Sequence, residues 1–267
     1  MHDSKFFRFD GAALIECQDS VSEIRLAVAD SFLVEAGRVR SLAAHEQRFS
    51  SWVTAASPAV TSQLSAFFAA VRSAIPKTGR WFPRIELHLS DGSDANQPGD
   101  ALFLRLRTAP EQLGEIKLWS LDEPDPRLHP EVKGPDLSLC MQLRRKAQLH
   151  GADEAVILDV SGFLTEGALS SIVWWRGEVL CAPDHQNIWL ASVTRNEIFE
   201  IAKSLGFQTR LEHVKPSDLV GLEIWALSSL QGIRAVSDWV NLGSPVGKCT
   251  HVEKFQKRLR LLGTAIS

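Results

Sequence analysis

Four separated groups of residues in this 267-residue sequence have the chemistry to hold a phosphate-bearing cofactor between two domains. Thr194, in Thr194-Arg195-Asn196-Glu197, has the spacing of a capping box that opens a helix. A helix N-terminus presents unpaired backbone N–H groups and partial positive charge, and a hydroxyl there can turn toward a bound phosphate instead of its own backbone. Ser228 and Ser229 close the apolar run Ile224 to Leu227 and place two hydroxyls ahead of Gly232. Arg48, on a helical face with Phe49 and Trp52, adds a guanidinium. The fourth group is Lys133, in His129-Pro130-Glu131-Val132-Lys133-Gly134-Pro135, with Glu166 of Thr165-Glu166-Gly167 standing 33 positions further on.

Competing chemistries find no support. No G-x-S-x-G elbow, no G-x-x-x-x-G-K-[ST] loop and no G-x-G-x-x-G turn occurs. His45-Glu46 begins like a zinc-binding helix, but Phe49 holds the place of the second histidine, so no metal site is expected. Cys17, Cys140, Cys181 and Cys249 are scattered without a C-x-x-C pair, which suits buried thiols in a reducing compartment. A net charge of -3 offers no basic excess for a nucleic acid, and no apolar run nears the ~20 residues that span a bilayer. The start of the chain lacks a signal-peptide core, and the expected location is the cytoplasm.

The elements that must position these residues follow from periodicity. With 45% hydrophobic and 23% charged residues the chain is globular. Glu23 to Ala29 and Phe32 to Val34 read as strands, with a turn at Glu35-Ala36-Gly37-Arg38. Ser41 to Ala55 has helical recurrence at Leu42, His45, Phe49 and Trp52; a second helix starts from Ser57-Pro58 and ends near Ile75-Pro76. Arg84 to Ser90 and Ala101 to Thr108 are strands joined by the polar segment Asp91 to Asp100. An α+β first domain is expected over residues 1–108. The stretch 109–126 is rich in proline and is read as the interdomain linker, leaving 127–267 as a larger domain that carries Lys133. There a helix from Asp136 to His150 stops at Gly151, and a buried strand runs from Ala155 to Asp159. A hairpin follows over Ser171 to Ala182 with its turn at Arg176-Gly177. The helix capped by Thr194 runs to Leu205 and stops at Gly206. Strands at Leu222 to Leu227 and Gly232 to Val236 and a helix from His251 to Leu262 complete the chain.

From about Glu35 to Val236 the sequence resembles the class IV pyridoxal-phosphate aminotransferases. This family includes D-amino-acid and branched-chain aminotransferases and 4-amino-4-deoxychorismate lyase. The likeness rests on His45-x-x-Arg48, the Lys133 segment, Gly151-Ala152-Asp153-Glu154-Ala155, the Gly162 turn, Glu166-Gly167, Val193-Thr194-Arg195 and Ser228-Ser229-Leu230-Gln231-Gly232-Ile233, in the family's order. It implies the two-domain α+β architecture called fold type IV, pyridoxal 5′-phosphate as cofactor, amino-acid and 2-keto-acid substrates, and a homodimer. It also implies that Lys133 forms the Schiff base and that Glu166 faces the pyridine nitrogen. Arg48, the backbone of Val193 and Thr194, and the hydroxyls of Thr194 and Ser229 would hold the phosphate. The roles suit the groups: a lysine bonding an aldehyde needs a neutral amine below its ordinary pKa of ~10.4, and a carboxylate facing the pyridinium keeps it protonated and electron-withdrawing.

Several positions depart from the family. Asp136 and Leu137 stand where members commonly carry asparagine and then an aromatic or arginine, Ala191-Ser192 replaces Pro-Gly, Ser171 replaces an asparagine, and the chain has no tyrosine. These changes bear on the substrate, for whose carboxylate Arg84, His88 and Arg107 are candidates, while Trp174 and Trp175 read as core. Amino transfer is the leading function. The alternative is the lyase, which expels pyruvate from aminodeoxychorismate, and a third reading is a homologue that binds the cofactor without turnover.

Overall fold

The computed structural model describes residues 4–18, 25–90, 99–184 and 189–266. They form two compact units, and no described helix is long and apolar enough to cross a membrane.

The first unit takes the described residues up to Glu111, with Val132–Pro135 and the chain from Leu262. Strands β1 (Ser4–Phe9), β2 (Leu14–Glu16), β3 (Arg25–Ser31), β4 (Val34–Glu35) and β5 (Arg38–Arg40) come first. Helix α1 (Leu42–Ala56) and helix α2 (Leu64–Ala74) follow, then β6 (Arg80–Trp81), β7 (Arg84–Leu89) and β8 (Ala101–Arg107). Five of the strands form a sheet in the order β2-β1-β8-β7-β3. Alternation along β7 and β8 sends Ile85, Leu87, Leu102 and Leu104 to one face, where they join Val28 and the helix residues Phe49, Val53, Phe67 and Val71 in the core. Glu86 and Phe103 point the other way. A second, small sheet runs from strand Gly263–Ala265 through β5 and β4 to β6, with Gly263–Ala265 antiparallel to β5.

Two expectations shift here. Residues 58–63, expected as the start of the second helix, form a tighter 3-10 turn, and α2 begins only at Leu64; Val60 and Thr61 are β-branched and disfavour the α-helix. The tight turn between β4 and β5 is Ala36-Gly37, both with positive φ, flanked rather than filled by Glu35 and Arg38. Glu23 and Ile24 of the expected first strand, and 91–98 of the expected polar connection, lie outside the described residues.

The second unit comprises Gln112–Glu131 and Asp136–Leu261. Its strands are β9 (Glu115–Ser120), β10 (Glu154–Leu158), β11 (Leu164–Gly167), β12 (Ser171–Arg176), β13 (Val179–Pro183), β14 (Gln208–Glu212), β15 (Ile224–Ser228) and β16 (Gly232–Trp239). Helix α3 (Leu137–Leu149) precedes β10, helix α4 (Val193–Ser204) precedes β14, and helix α5 (Val252–Leu261) follows β16. The eight strands form one sheet, ordered β11-β10-β9-β16-β15-β12-β13-β14. Residues 115–120, read from sequence as part of a linker, are a central strand with Ile116, Leu118 and Trp119 buried. The flanking prolines mark its ends. Trp174 and Trp175 are core residues. The hairpin turn falls at Gly177-Glu178, because Arg176 pairs with Val179 and Gly177 adopts φ 60°.

The lysine segment was assigned from sequence to the second domain, yet Val132–Pro135 packs within the first unit. The Ala29 N–H donates to the Lys133 carbonyl at 2.6 Å, so the segment lies against the edge strand β3. Gly134, at φ 152°, passes so close that a Cβ would lie 2.7 Å from the Ala27 carbonyl oxygen and 2.8 Å from Val28 Cα. Only glycine fits against that backbone. Gly134→Ala is therefore expected to lower the unfolding free energy by about 1–3 kcal/mol, the usual cost of overpacking. A urea titration reads this as a lower midpoint, and an unchanged midpoint would show that the segment is not seated on β3.

Candidate active site

In the first unit two of the candidate residues depend on neighbouring positions of β3. Ala29 holds the Lys133 backbone, and Asp30 holds Arg48. Asp30 is fully buried on the core face. Arg48 donates to it through Nε (2.7 Å to Oδ2) and Nη2 (2.8 Å to Oδ1), and His45 Nδ1 lies 2.8 Å from Oδ1. His45 and Arg48 are three residues apart on α1, hence on one face toward the same carboxylate. Burial alone would raise the Asp30 pKa, but Arg48 and His45 together hold it well below the usual carboxylate range. The guanidinium is thus locked by a bidentate ion pair, which fixes its plane as a lysine could not be fixed.

The outward face of the same sheet carries a second charged group. Glu86, almost fully buried, receives Arg84 Nε at 2.6 Å and Arg105 Nε at 3.0 Å on Oε1, and His88 Nε2 lies 2.6 Å from Oε2. Its pKa falls to about 2, because these partners outweigh burial. Arg107 is pushed down to about 10 by burial and by the charges of Arg84 and Arg105. Two guanidiniums pair with the one carboxylate while that of Arg107 donates to the Phe82 carbonyl nearby, an excess of positive charge that favours a bound anion. Arg84, His88 and Arg107 were candidates from sequence; Arg105 and Glu86 were not.

In the second unit Glu166 lies on β11 with its side chain 5% exposed, beside an equally buried Arg127 at 4%. Arg127 Nη1 donates to Glu166 Oε1 at 2.8 Å, and the Leu190 N–H reaches the same oxygen at 3.4 Å. Both hydrogen bonds that Glu166 accepts among the described residues fall on Oε1, and Oε2 accepts none. Burial pushes the Glu166 carboxyl up, and Arg127 pulls against it. Gly167 follows closely packed: a Cβ there would lie 2.3 Å from Ser170 Oγ and 3.1 Å from the Ser170 carbonyl oxygen.

Thr194 does not cap α4. The cap is Ser192, whose hydroxyl accepts from the Arg195 N–H at 3.2 Å, and the helix starts at Val193. Ser192 takes over because it stands one position ahead of the helix with extended backbone, φ -78° and ψ 119°, the conformation a capping residue needs. Thr194 becomes the second helical residue, buried, and no hydrogen bond of its hydroxyl is found among the described residues. The substituted Ala191-Ser192 pair thus leaves the Thr194 hydroxyl uncommitted. Arg195, 6% exposed, stacks with its guanidinium carbon 3.4 Å from the centre of the Trp189 ring, and its buried Nη1 has no partner among the described residues. Burial lowers its pKa to about 10, against the opposing charge of Glu166. Ser228 accepts from the Gln231 N–H at the end of β15, and Ser229 follows it.

A bare carboxylate oxygen, an uncommitted hydroxyl at a helix N-terminus and an unfilled guanidinium N–H are what a phosphorylated, protonated heterocycle would satisfy, so the residues present fit such a group. Of these, Arg127, Arg195 and the Ser192 cap were not foreseen from the sequence. The Thr-Arg pairing at Thr194-Arg195 was a visible signal for Arg195.

Branched-chain-amino-acid aminotransferases of Escherichia coli K12 and Salmonella typhimurium are 29% identical over 113 residues, 41% of this chain and 36% of theirs. The match thus spans about a third of the length of these curated relatives. A branched-chain aminotransferase of Thermoproteus uzoniensis, solved with norvaline, superposes with TM-score 0.81 at 16% identity, covering 99% of this chain and 100% of that one. A fold IV-transaminase of Curtobacterium pusillum gives TM-score 0.73 at 15% identity, covering 96% and 97%. The amino-transferase class IV family matches residues 27–239, and the chain belongs to that family and has the fold type IV architecture.

Proposed function

We propose that the chain is a pyridoxal-phosphate-dependent aminotransferase that moves an amino group between an amino acid and a 2-keto acid. The observation that carries this reading is the buried Glu166 carboxylate, saturated on Oε1 and open on Oε2. Bound pyridoxal phosphate would supply an aldehyde that takes up the amino group and a pyridinium ring that accepts negative charge from the substrate α-carbon. Lys133 is the residue that would hold that aldehyde through its side-chain amine, with loss of water. Its freed amine would then serve as the base that takes the α-proton and returns it on the other side of the transfer. Glu166 Oε2 would hold a proton at the ring nitrogen. Arg48, the backbone of Val193 and Thr194, and the hydroxyls of Thr194 and Ser229 bind the phosphate. The positive excess of Arg84, Arg105 and Arg107 around Glu86 supports a substrate that carries carboxylate charge. A homodimer in the cytoplasm is the proposed setting, and light scattering checks the assembly.

The test begins with colour. The purified chain with pyridoxal phosphate should show a yellow band that borohydride removes, leaving a cofactor-sized mass on Lys133. Lys133→Ala should lose the band while keeping the fold, and a band that survives in this variant overturns the assignment. Adding leucine or glutamate should convert the band to the amino form of the cofactor. Pyruvate release from aminodeoxychorismate without a keto acid would instead establish the lyase.

Arg48 is best tested by Arg48→Lys, which keeps a cation beside buried Asp30. Loss of the bidentate geometry should raise the pyridoxal phosphate concentration for half-saturation about tenfold, one charged hydrogen bond at roughly 1.5 kcal/mol. Binding of pyridoxal, which has no phosphate, should stay the same. An equal loss for both ligands would remove Arg48 from the phosphate site.

A further inference from the structure

Arg127 comes from a stretch whose prolines suggested only a linker, and its surroundings give it a more specific task. The sequence Pro124-Asp125-Pro126-Arg127 restrains the backbone at each step. Each proline fixes its own φ near −65°, and Glu123 and Asp125, standing before prolines, are confined to extended backbone. Asp125 then grips the arginine from one side: Arg127 Nε lies 3.0 Å from Oδ1, Nη2 lies 2.8 Å from Oδ2, and the Arg127 backbone N–H donates to Oδ1 at 3.0 Å. The remaining end, Nη1, projects to Glu166 Oε1 at 2.8 Å. A carboxylate, a guanidinium and a second carboxylate thus form one chain, with its middle member rigid before Glu166 is reached.

We infer that Arg127 is a positioning residue for Glu166, occupying Oε1 and leaving Oε2 as the oxygen that meets the ring nitrogen; this rests on the cofactor reading above. Two consequences follow from the charge arrangement. First, the carboxylate is fixed in rotation, since an oxygen held by a clamped guanidinium cannot exchange places with its twin without breaking an ion pair. Second, Arg127 keeps Glu166 ionised where burial works against ionisation. The charged groups that act on Glu166 are Arg127 in direct contact, Asp125 behind it, which raises the Glu166 pKa, and Arg195, which senses Glu166 at longer range. Without Arg127, burial and Asp125 act in the same direction. Glu166 would then take up a proton at a higher pH, and a protonated carboxyl cannot hold the ring nitrogen as a pyridinium.

The experiment has two readouts on the full chain. Carbon-13 NMR of side-chain-labelled glutamate, with the Glu166 signal assigned by its loss in Glu166→Gln, follows ionisation without added cofactor. Arg127→Met should move the Glu166 midpoint upward by about 1–3 pH units, the range for losing a cation at contact distance. Arg127→Lys should return most of that shift. With pyridoxal phosphate added, the pH at which the visible band changes should move in the same direction in Arg127→Met and recover in Arg127→Lys. Should Arg127→Met fail to fold, Asp125→Asn, which leaves the guanidinium and removes the charge that raises the Glu166 pKa, should move the Glu166 midpoint and the band's pH dependence downward together, and an upward move would overturn the inference. A Glu166 midpoint that does not move in Arg127→Met overturns the inference, as does a midpoint that moves while the band's pH dependence stays at the wild-type value. A wild-type chain that never turns yellow overturns the aminotransferase reading instead, and the NMR titration still decides what Arg127 does to Glu166.

Discussion

A carboxylate taken out of water has to be met by a cation, and this requirement shapes each part of the candidate site. Desolvating the charge costs several kcal/mol, which is recovered only where the partner is close and its geometry is good. Asp30, Glu86 and Glu166 are all nearly or fully buried, and each is met by at least one guanidinium. The pairs do more than offset the cost of burial. Asp30 fixes the plane of Arg48, Glu86 pairs with Arg84 and Arg105 in a region of excess positive charge, and Arg127 occupies one oxygen of Glu166 while the other stays open.

The second organising element is the edge of the first unit's sheet. Strand β3 spends consecutive residues on different tasks: the Ala29 N–H holds the Lys133 segment, and the Asp30 side chain holds Arg48. A strand can do this because its backbone bonds lie in the sheet plane while its side chains alternate across it. The close seat of Gly134 on Ala27 and Val28 makes the arrangement stiff. In the second unit, β11 and the start of α4 play the corresponding parts. Ser192 satisfies the helix end, so the Thr194 hydroxyl is left for a ligand.

Much of this was legible in the sequence and some was not, for physical reasons. Helical recurrence at Leu42, His45, Phe49 and Trp52 located α1, and the spacing of His45 and Arg48 followed from it. Lys133 and Glu166 stood out through the resemblance of their segments to the class IV aminotransferases, and Thr194 through its capping-box spacing to Glu197. Asp30 was invisible, since its partner lies 18 positions away and nothing in an apolar strand announces an ion pair. Arg127 was hidden by its prolines, which read as a break between domains and in fact stiffen a clamp. The cap at Ser192 was missed because Thr194 and Glu197 also satisfy the capping-box spacing, and only the backbone angles choose between two hydroxyls two residues apart. Likewise the 115–120 strand is short and flanked by turn formers, so its central place in the sheet depends on partners far along the chain.

The central claim is that Glu166 and Lys133 serve the same bound ring. A crystal structure of the chain grown with pyridoxal phosphate tests it most directly. The account predicts continuous density from Lys133 Nζ to the cofactor, Glu166 Oε2 within hydrogen-bonding distance of the ring nitrogen, and Arg127 still on Oε1. A cofactor bound elsewhere, or a ring whose nitrogen faces any group other than Glu166, would contradict it.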